Sequence, residues 1–150
     1  MPYNPNVTIK PITLTHHIDS AVLDMWNSSA DLDPLTPELW QEFVYNDPDF
    51  KPETTLVAFD GDKPIAFIMG VVRESGIGYI KMMLVAKSYR RQKMGTWLLQ
   101  LMEEKLAKQK AFSIRAGEAP PAYFIPGIDP RSTATVAFFQ KNGYERFGEG

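Results

Sequence analysis

The chain has 150 residues, 44% apolar and 23% charged, with sixteen Lys and Arg against eighteen Asp and Glu. That is enough apolar material for one compact domain, and a near-neutral chain whose aromatics do not interleave with Lys and Arg gives no support to nucleic-acid binding. Cysteine is absent, which excludes disulfides, thiolate metal sites and an acyl-cysteine intermediate, and no apolar run approaches the ~20 residues of a membrane span.

In chain order, MPYNPNVTIK lacks the shape of a signal peptide, so a cytoplasmic location is expected. Val7 to Ile12 reads as a strand. His17 to Trp26 then places Ile18, Ala21, Val22, Met25 and Trp26 on one helical face. The adjacent His16 and His17 have no second ligand pair, so no metal site is expected. Thr36-Pro37-Glu38 has the form of an N-cap followed by proline at the first helical position. Thr54 to Phe59 and Pro64 to Val72 flank Asp60-Gly61-Asp62-Lys63, which is a hairpin signal.

Tyr79 to Val85 is the next β-prone run, and Lys87 to Lys93 supplies four positive charges directly after it. Gly95 opens a helix in which Met94, Leu98, Leu101, Met102 and Leu106 recur at three- and four-residue spacing, with Glu103, Glu104, Lys105 and Lys108 on the other side. Amides at a helix N-terminus are unpaired and lie at the positive end of the dipole, and arginine forks add bidentate contacts. Such a unit suits a pyrophosphate; the plainer alternative is a solvated basic turn. Ala111 to Ala116 reads as a further strand. Gly117 to Arg131, GEAPPAYFIPGIDPR, is a long proline-rich connection, read as a stiff, partly apolar cleft wall. A helix then ends at Gly143, and a new strand begins at Tyr144.

The run Arg90, Arg91, Gln92, Lys93, Met94, Gly95 resembles the pyrophosphate loop of the GNAT superfamily of acetyl-CoA-dependent N-acetyltransferases, which reads Arg or Gln, two residues, Gly, any residue, Gly or Ala. Gly95 matches the second glycine. Lys93 replaces the first, at a cost of about 1 kcal/mol if that position needs positive φ. A second resemblance is STATVAFFQKNGY, Ser132 to Tyr144. The family's helix there carries Asn where this chain has Ser132, and a Tyr where it has Phe139.

What the resemblance implies is an α+β domain spanning 1–150, a mixed, mostly antiparallel sheet of six to seven strands flanked by about four helices in α/β/α layers. It implies acetyl transfer from acetyl-CoA to a small-molecule or peptide primary amine by direct attack, without a metal. Leu84 and Val85 would meet the thioester, with Arg90, Arg91, Gln92, Lys93, Met94, Gly95 and Thr96 on the pyrophosphate, and Ser132 and Phe139 beside the coenzyme. The segment from Asn27 to Pro52 would lie over the acceptor.

Tyr79 to Val85 lacks the Glu that some family members use as base. Glu118 is therefore the catalytic candidate for the base, with Glu74 a weaker one, and the hydroxyl of Tyr123 or Ser132 is the candidate for the acid. Phe139 cannot protonate the leaving thiolate, and this supports an alternative, a non-catalytic acyl-CoA-binding lobe; an interaction module is a third. The family closes with a seventh strand, whereas this sequence reaches Gly150 soon after Tyr144. An open sheet edge is thus expected, completed by a homodimer or by the second lobe of a tandem, mycothiol-synthase-like protein.

Overall fold

The computed structural model describes residues 6–12, 16–29, 35–86, 89 and 94–116. Chain order is β1 (Val7–Pro11), α1 (His16–Ser29), α2 (Pro37–Trp40), a π-helical turn (Gln41–Tyr45), a 3-10 turn (Pro52–Thr54), β2 (Thr55–Asp60), β3 (Lys63–Val72), β4 (Ile77–Val85), α3 (Met94–Lys108) and β5 (Ser113–Ala116). The strands lie side by side in sequence order. Pairing is antiparallel from β1 to β4 and parallel between β4 and β5. A parallel pair needs a crossover, and α3 provides it.

The expected α+β architecture is therefore present, with five strands and three α-helices among the described residues. The helix before Gly143 and the strand from Tyr144 lie outside them, as do Glu118, Tyr123, Ser132 and Phe139. The hairpin forms where its turn residues place it: Asp60 pairs with Lys63, and Gly61 takes φ +63°, the left-handed conformation that glycine adopts without a Cβ clash.

Side-chain alternation sorts the sheet into two apolar layers. Val57, Phe67, Met69, Val71, Met82 and Leu84 pack with Val22, Met25 and Trp26 of α1 and Trp40 of α2. Leu56, Ile68, Ile80 and Met83 pack with α3 on the other face. Phe67 sits at the centre of the first layer, with ring centroids 6.0 Å from Trp26 and 5.1 Å from Trp40. Because β3 is covered on both sides, Ile65 to Val71 is an unbroken buried run rather than an alternating one.

Local chemistry sets the helix ends. The Thr36 side chain accepts from the Leu39 amide at 3.1 Å, the N-cap the sequence announces. Asn27 grips both backbone groups of Leu35, donating to its carbonyl at 2.9 Å and accepting from its amide at 2.8 Å, so α1 is tied to the entry of α2. Helix α3 starts at Met94, one residue before Gly95. It buries Met94, Leu98, Leu99, Met102 and Leu106. Leu99 takes the place expected of Leu101, which is only partly buried. The two residues flank the four-spaced stripe on opposite sides, and the helix is rolled toward Leu99. At its far end Lys110 has φ +69°, with Ala111 donating to Leu106 and Lys110 to Ala107, the bonding of a Schellman cap on a non-glycine residue.

Two strands carry an extra residue. In β3, Ala66 pairs with Ala58 and Pro64 with Phe59, leaving Ile65 unmatched. In β4, Met82 pairs with Met69 and Ile80 with Gly70, leaving Lys81 unmatched. A bulge of this kind turns two successive side chains to the same face. Met82 lies in the layer of α1 and α2 while Ile80 and Met83 lie in the layer of α3, so Lys81 and Met82 share the first face.

Candidate active site

The strand, loop and helix expected to hold the ligand come in the expected order. Leu84 is fully buried in the α1/α2 layer, and Val85 is half-buried against the α3 layer. Beyond them the Ala86 amide donates to the Ile65 carbonyl at 2.8 Å, which holds the chain to the sheet as it leaves β4. Tyr89 donates its phenol to Asp60 at 2.6 Å, and the Lys63 ammonium lies 6.0 Å from its ring centre. The connection is thereby pinned to the β2–β3 hairpin. Arg90, Arg91, Gln92 and Lys93 lie outside the described residues.

Met94 is 1% exposed and anchors the first turn of α3 in the core, while Gly95 and Thr96 are partly open to solvent. The first turn of a helix has four amides without intrahelical acceptors, and a residue lacking a side chain and one carrying a hydroxyl stand in the first described turn of α3. That donor set fits the oxygens of a phosphorylated ligand.

Parallel pairing of β5 with β4 runs from Ile77 with Ser113 to Ile80 with Ala116. Among the described residues this ladder ends one position before the bulge at Lys81. The bulge at Lys81 and the residues Leu84 and Val85 thus fall in succession along one strand.

Sequence reasoning missed the ionic cluster on the α1/α2 face. Lys81 has no exposed side-chain surface, and its ammonium donates to Asp47 Oδ2 at 2.6 Å and to the Phe43 carbonyl at 2.7 Å. Arg73, just past the end of β3, forks onto both oxygens of Asp47, at 2.5 and 3.0 Å, and reaches Asp49 at 2.9 Å. The Asp49 amide donates to Asp47 Oδ1 at 2.8 Å. Burial alone would raise the pKa of Asp47, but the hydrogen bonds from Arg73 and Lys81, with that amide, prevail and hold it below the ordinary value of 3.8. Burial also opposes the charge on Arg73, and its bonds to Asp47 and Asp49 outweigh this and raise its pKa. A carboxylate so enclosed by cations is a poor proton acceptor, so Asp47 does not fill the missing place of a base. Glu74, the weaker sequence candidate, is exposed in the turn after β3.

One signal for the cluster was present in the sequence. A single lysine in the run YIKMMLV must be paired if the strand is central, because an unpaired buried ammonium is too costly. Its partner, 34 residues earlier, carried no comparable mark.

The profile of the acetyltransferase (GNAT) family matches residues 21–144, and the chain belongs to that family. It is an acetyltransferase-class enzyme domain. No curated protein matches it by sequence. Among solved structures, the ribosomal-protein-S18-alanine N-acetyltransferase from Escherichia coli is 17% identical with a TM-score of 0.65, covering 91% of this chain and 76% of that one. A chain of the NatC complex bound to Gag peptide and CoA is 18% identical with a TM-score of 0.71, covering 95% and 86%. The aminoglycoside acetyltransferase meta-AAC0020 from an uncultured soil metagenomic sample, in complex with trehalose, is 12% identical with a TM-score of 0.68, covering 99% and 97%. At these identities the likeness establishes the fold. Among the described residues, no helix is long and apolar enough to cross a membrane.

Proposed function

We propose that this domain transfers an acetyl group from acetyl-CoA to a primary amine by direct attack. The observation that carries the reading is the β4–loop–α3 unit, in which a buried Met94 fixes a helix start whose next two residues, Gly95 and Thr96, are accessible. The pyrophosphate would lie on the amides of that turn, with Arg90, Arg91, Gln92 and Lys93 adding charge and donors. The thioester would then run along β4 toward Leu84 and Val85, where a backbone amide would meet the developing oxyanion without calling on any particular side chain.

The acceptor would approach from the α1/α2 side, under the segment from Asn27 to Pro52. Two solved structures of this fold bear on the acceptor class: one is bound to Gag peptide and CoA, and one is an aminoglycoside acetyltransferase. Both point to amines, one peptidic and one on a small molecule. An ammonium with pKa near ~10 must lose its proton before it attacks, and Glu118 is the group we assign to that step. Phe139 has no proton to give, and a thiol with pKa near ~8.5 departs as the thiolate.

The second reading, an acyl-CoA-binding lobe without turnover, is favoured by Phe139 and by the absence of a Glu from β4. A panel of N-terminal peptides, polyamines and aminoglycosides, assayed for thiol release from acetyl-CoA, separates the two. Amine-dependent release supports transfer; coenzyme binding without release from any amine supports the silent lobe.

A further inference from the structure

The mechanism above makes no use of the cluster around Lys81, yet that cluster joins the two halves of the proposed site. Its charges balance: Lys81 and Arg73 face Asp47 and Asp49. Such a group is a poor choice if stability alone is at stake, because well-packed apolar residues of similar volume do as well or better than buried ion pairs. A methionine in place of Lys81 would match its neighbours Met82 and Met83. What the ionic group supplies and an apolar residue does not is a directional link between particular atoms.

The π-helical turn runs to Tyr45, with the Asn46 amide donating to the Gln41 carbonyl, and Lys81 donates to the Phe43 carbonyl inside that turn. The segment from Phe43 to Asp49 is thus held at Phe43, Asp47 and Asp49 by cations from the bulge of β4 and the end of β3. The bulge sets Lys81 and Met82 side by side on the α1/α2 face, where the Lys81 ammonium reaches Phe43 and Asp47.

We propose that Lys81 is a positioning residue for acyl transfer: it fastens the acceptor-side segment Phe43 to Asp49 to the bulge of β4, and so sets where the amine meets the thioester. This rests on the acetyltransferase reading above. Removing the ammonium leaves Asp47 paired with Arg73, so the segment stays folded but loses its register with β4. The acceptor then binds in the wrong place while the coenzyme does not.

The test uses the full chain with Lys81→Met, and Lys81→Gln as a second variant that keeps a donor without the charge. Coenzyme A affinity is measured by calorimetry, kinetics with whichever panel amine the wild type acetylates, and amide exchange by mass spectrometry. The expected result is coenzyme A affinity within about two-fold of wild type, KM for the amine raised about ten-fold or more with KM for acetyl-CoA little changed, and exchange in residues 44–50 faster by about ten-fold with β2 and β3 unaffected. Equal changes in both KM values, or unchanged exchange in residues 44–50, would overturn the proposal. Exchange alone decides if no amine in the panel is acetylated. A wild type that fails to bind coenzyme A sinks the transferase reading itself, an outcome separate from an intact site whose acceptor segment ignores Lys81.

Discussion

Lys81 and Asp47 meet at 2.6 Å with both side chains wholly shielded from solvent, and the contact ties a bulge in a central strand to the segment that crosses its face. Everything else in the cluster follows from the need to satisfy those two charges. Asp47 accepts from Arg73 and from the Asp49 amide, and Arg73 reaches on to Asp49.

Asp47→Asn leaves two cations facing one remaining carboxylate. Breaking a buried pair from one side typically costs about 3–5 kcal/mol. Urea unfolding should show a loss of that order with an unchanged m-value. A loss below about 1 kcal/mol would mean that water reaches the cluster and screens it.

The depressed pKa of Asp47 gives stability a definite pH dependence. A carboxylate whose folded pKa lies below its unfolded one contributes stability above the unfolded value, and that contribution is lost as pH falls through the folded value. Stability should therefore decline as pH drops below the ordinary 3.8. The acid limb of thermal unfolding should be shallower in Asp47→Asn. Superimposable limbs would assign the acid sensitivity to other carboxylates.

Gly70 tests the contact between β3 and α3. A Cβ there would stand 2.7 Å from Met102 Sδ and 3.2 Å from both methyls of Leu106. Gly70→Val should cost about 1–3 kcal/mol by overpacking and shift α3 away from the sheet. Because the start of that helix carries the proposed coenzyme site, affinity for coenzyme A should fall with stability. Full affinity in a destabilised variant would show that the N-terminal end of α3 does not follow the shift.

Much of this fold could be read from the residues alone. Thr36 and Pro37 mark their helix start, and Asp60 to Lys63 mark their turn, because cap and turn chemistry is local and needs no knowledge of the partner. The layering of helices on both faces of the sheet was what the family resemblance implied, and the two apolar layers of the sheet agree with it. The bulges at Ile65 and Lys81 were not legible, since a change of face within a strand is set by the neighbouring strand's register. The roll of α3 toward Leu99 rather than Leu101 is tertiary for the same reason, both leucines being equally placed beside the stripe. Of the candidate site, the order of strand, basic run and helix was legible along the chain, and with the family resemblance it is what puts Leu84, Val85, Met94, Gly95 and Thr96 forward. The pairing of Lys81 with Asp47 was not, because it joins residues whose separation leaves no local pattern.

Tyr89 anchors the connection that carries the basic residues. Tyr89→Phe removes the 2.6 Å bond to Asp60 while keeping the ring. A hydrogen bond to a charged group is worth about 1.5–3 kcal/mol when enclosed, and less at this partly exposed position. Coenzyme A affinity should fall about three- to ten-fold, with thermal stability lowered only slightly. Unchanged affinity would show that the loop is positioned without this tether.

On the proposed function, the start of α3 and the basic run before it hold a coenzyme A pyrophosphate. Calorimetric titration of coenzyme A and acetyl-CoA into the wild type, Arg91→Ala and Gly95→Glu tests it most directly. Micromolar binding to the wild type is expected, reduced about ten-fold or more in both variants, since one loses a bidentate donor and the other places a carboxylate among the phosphates. No binding to the wild type, or equal binding to all three, would contradict it.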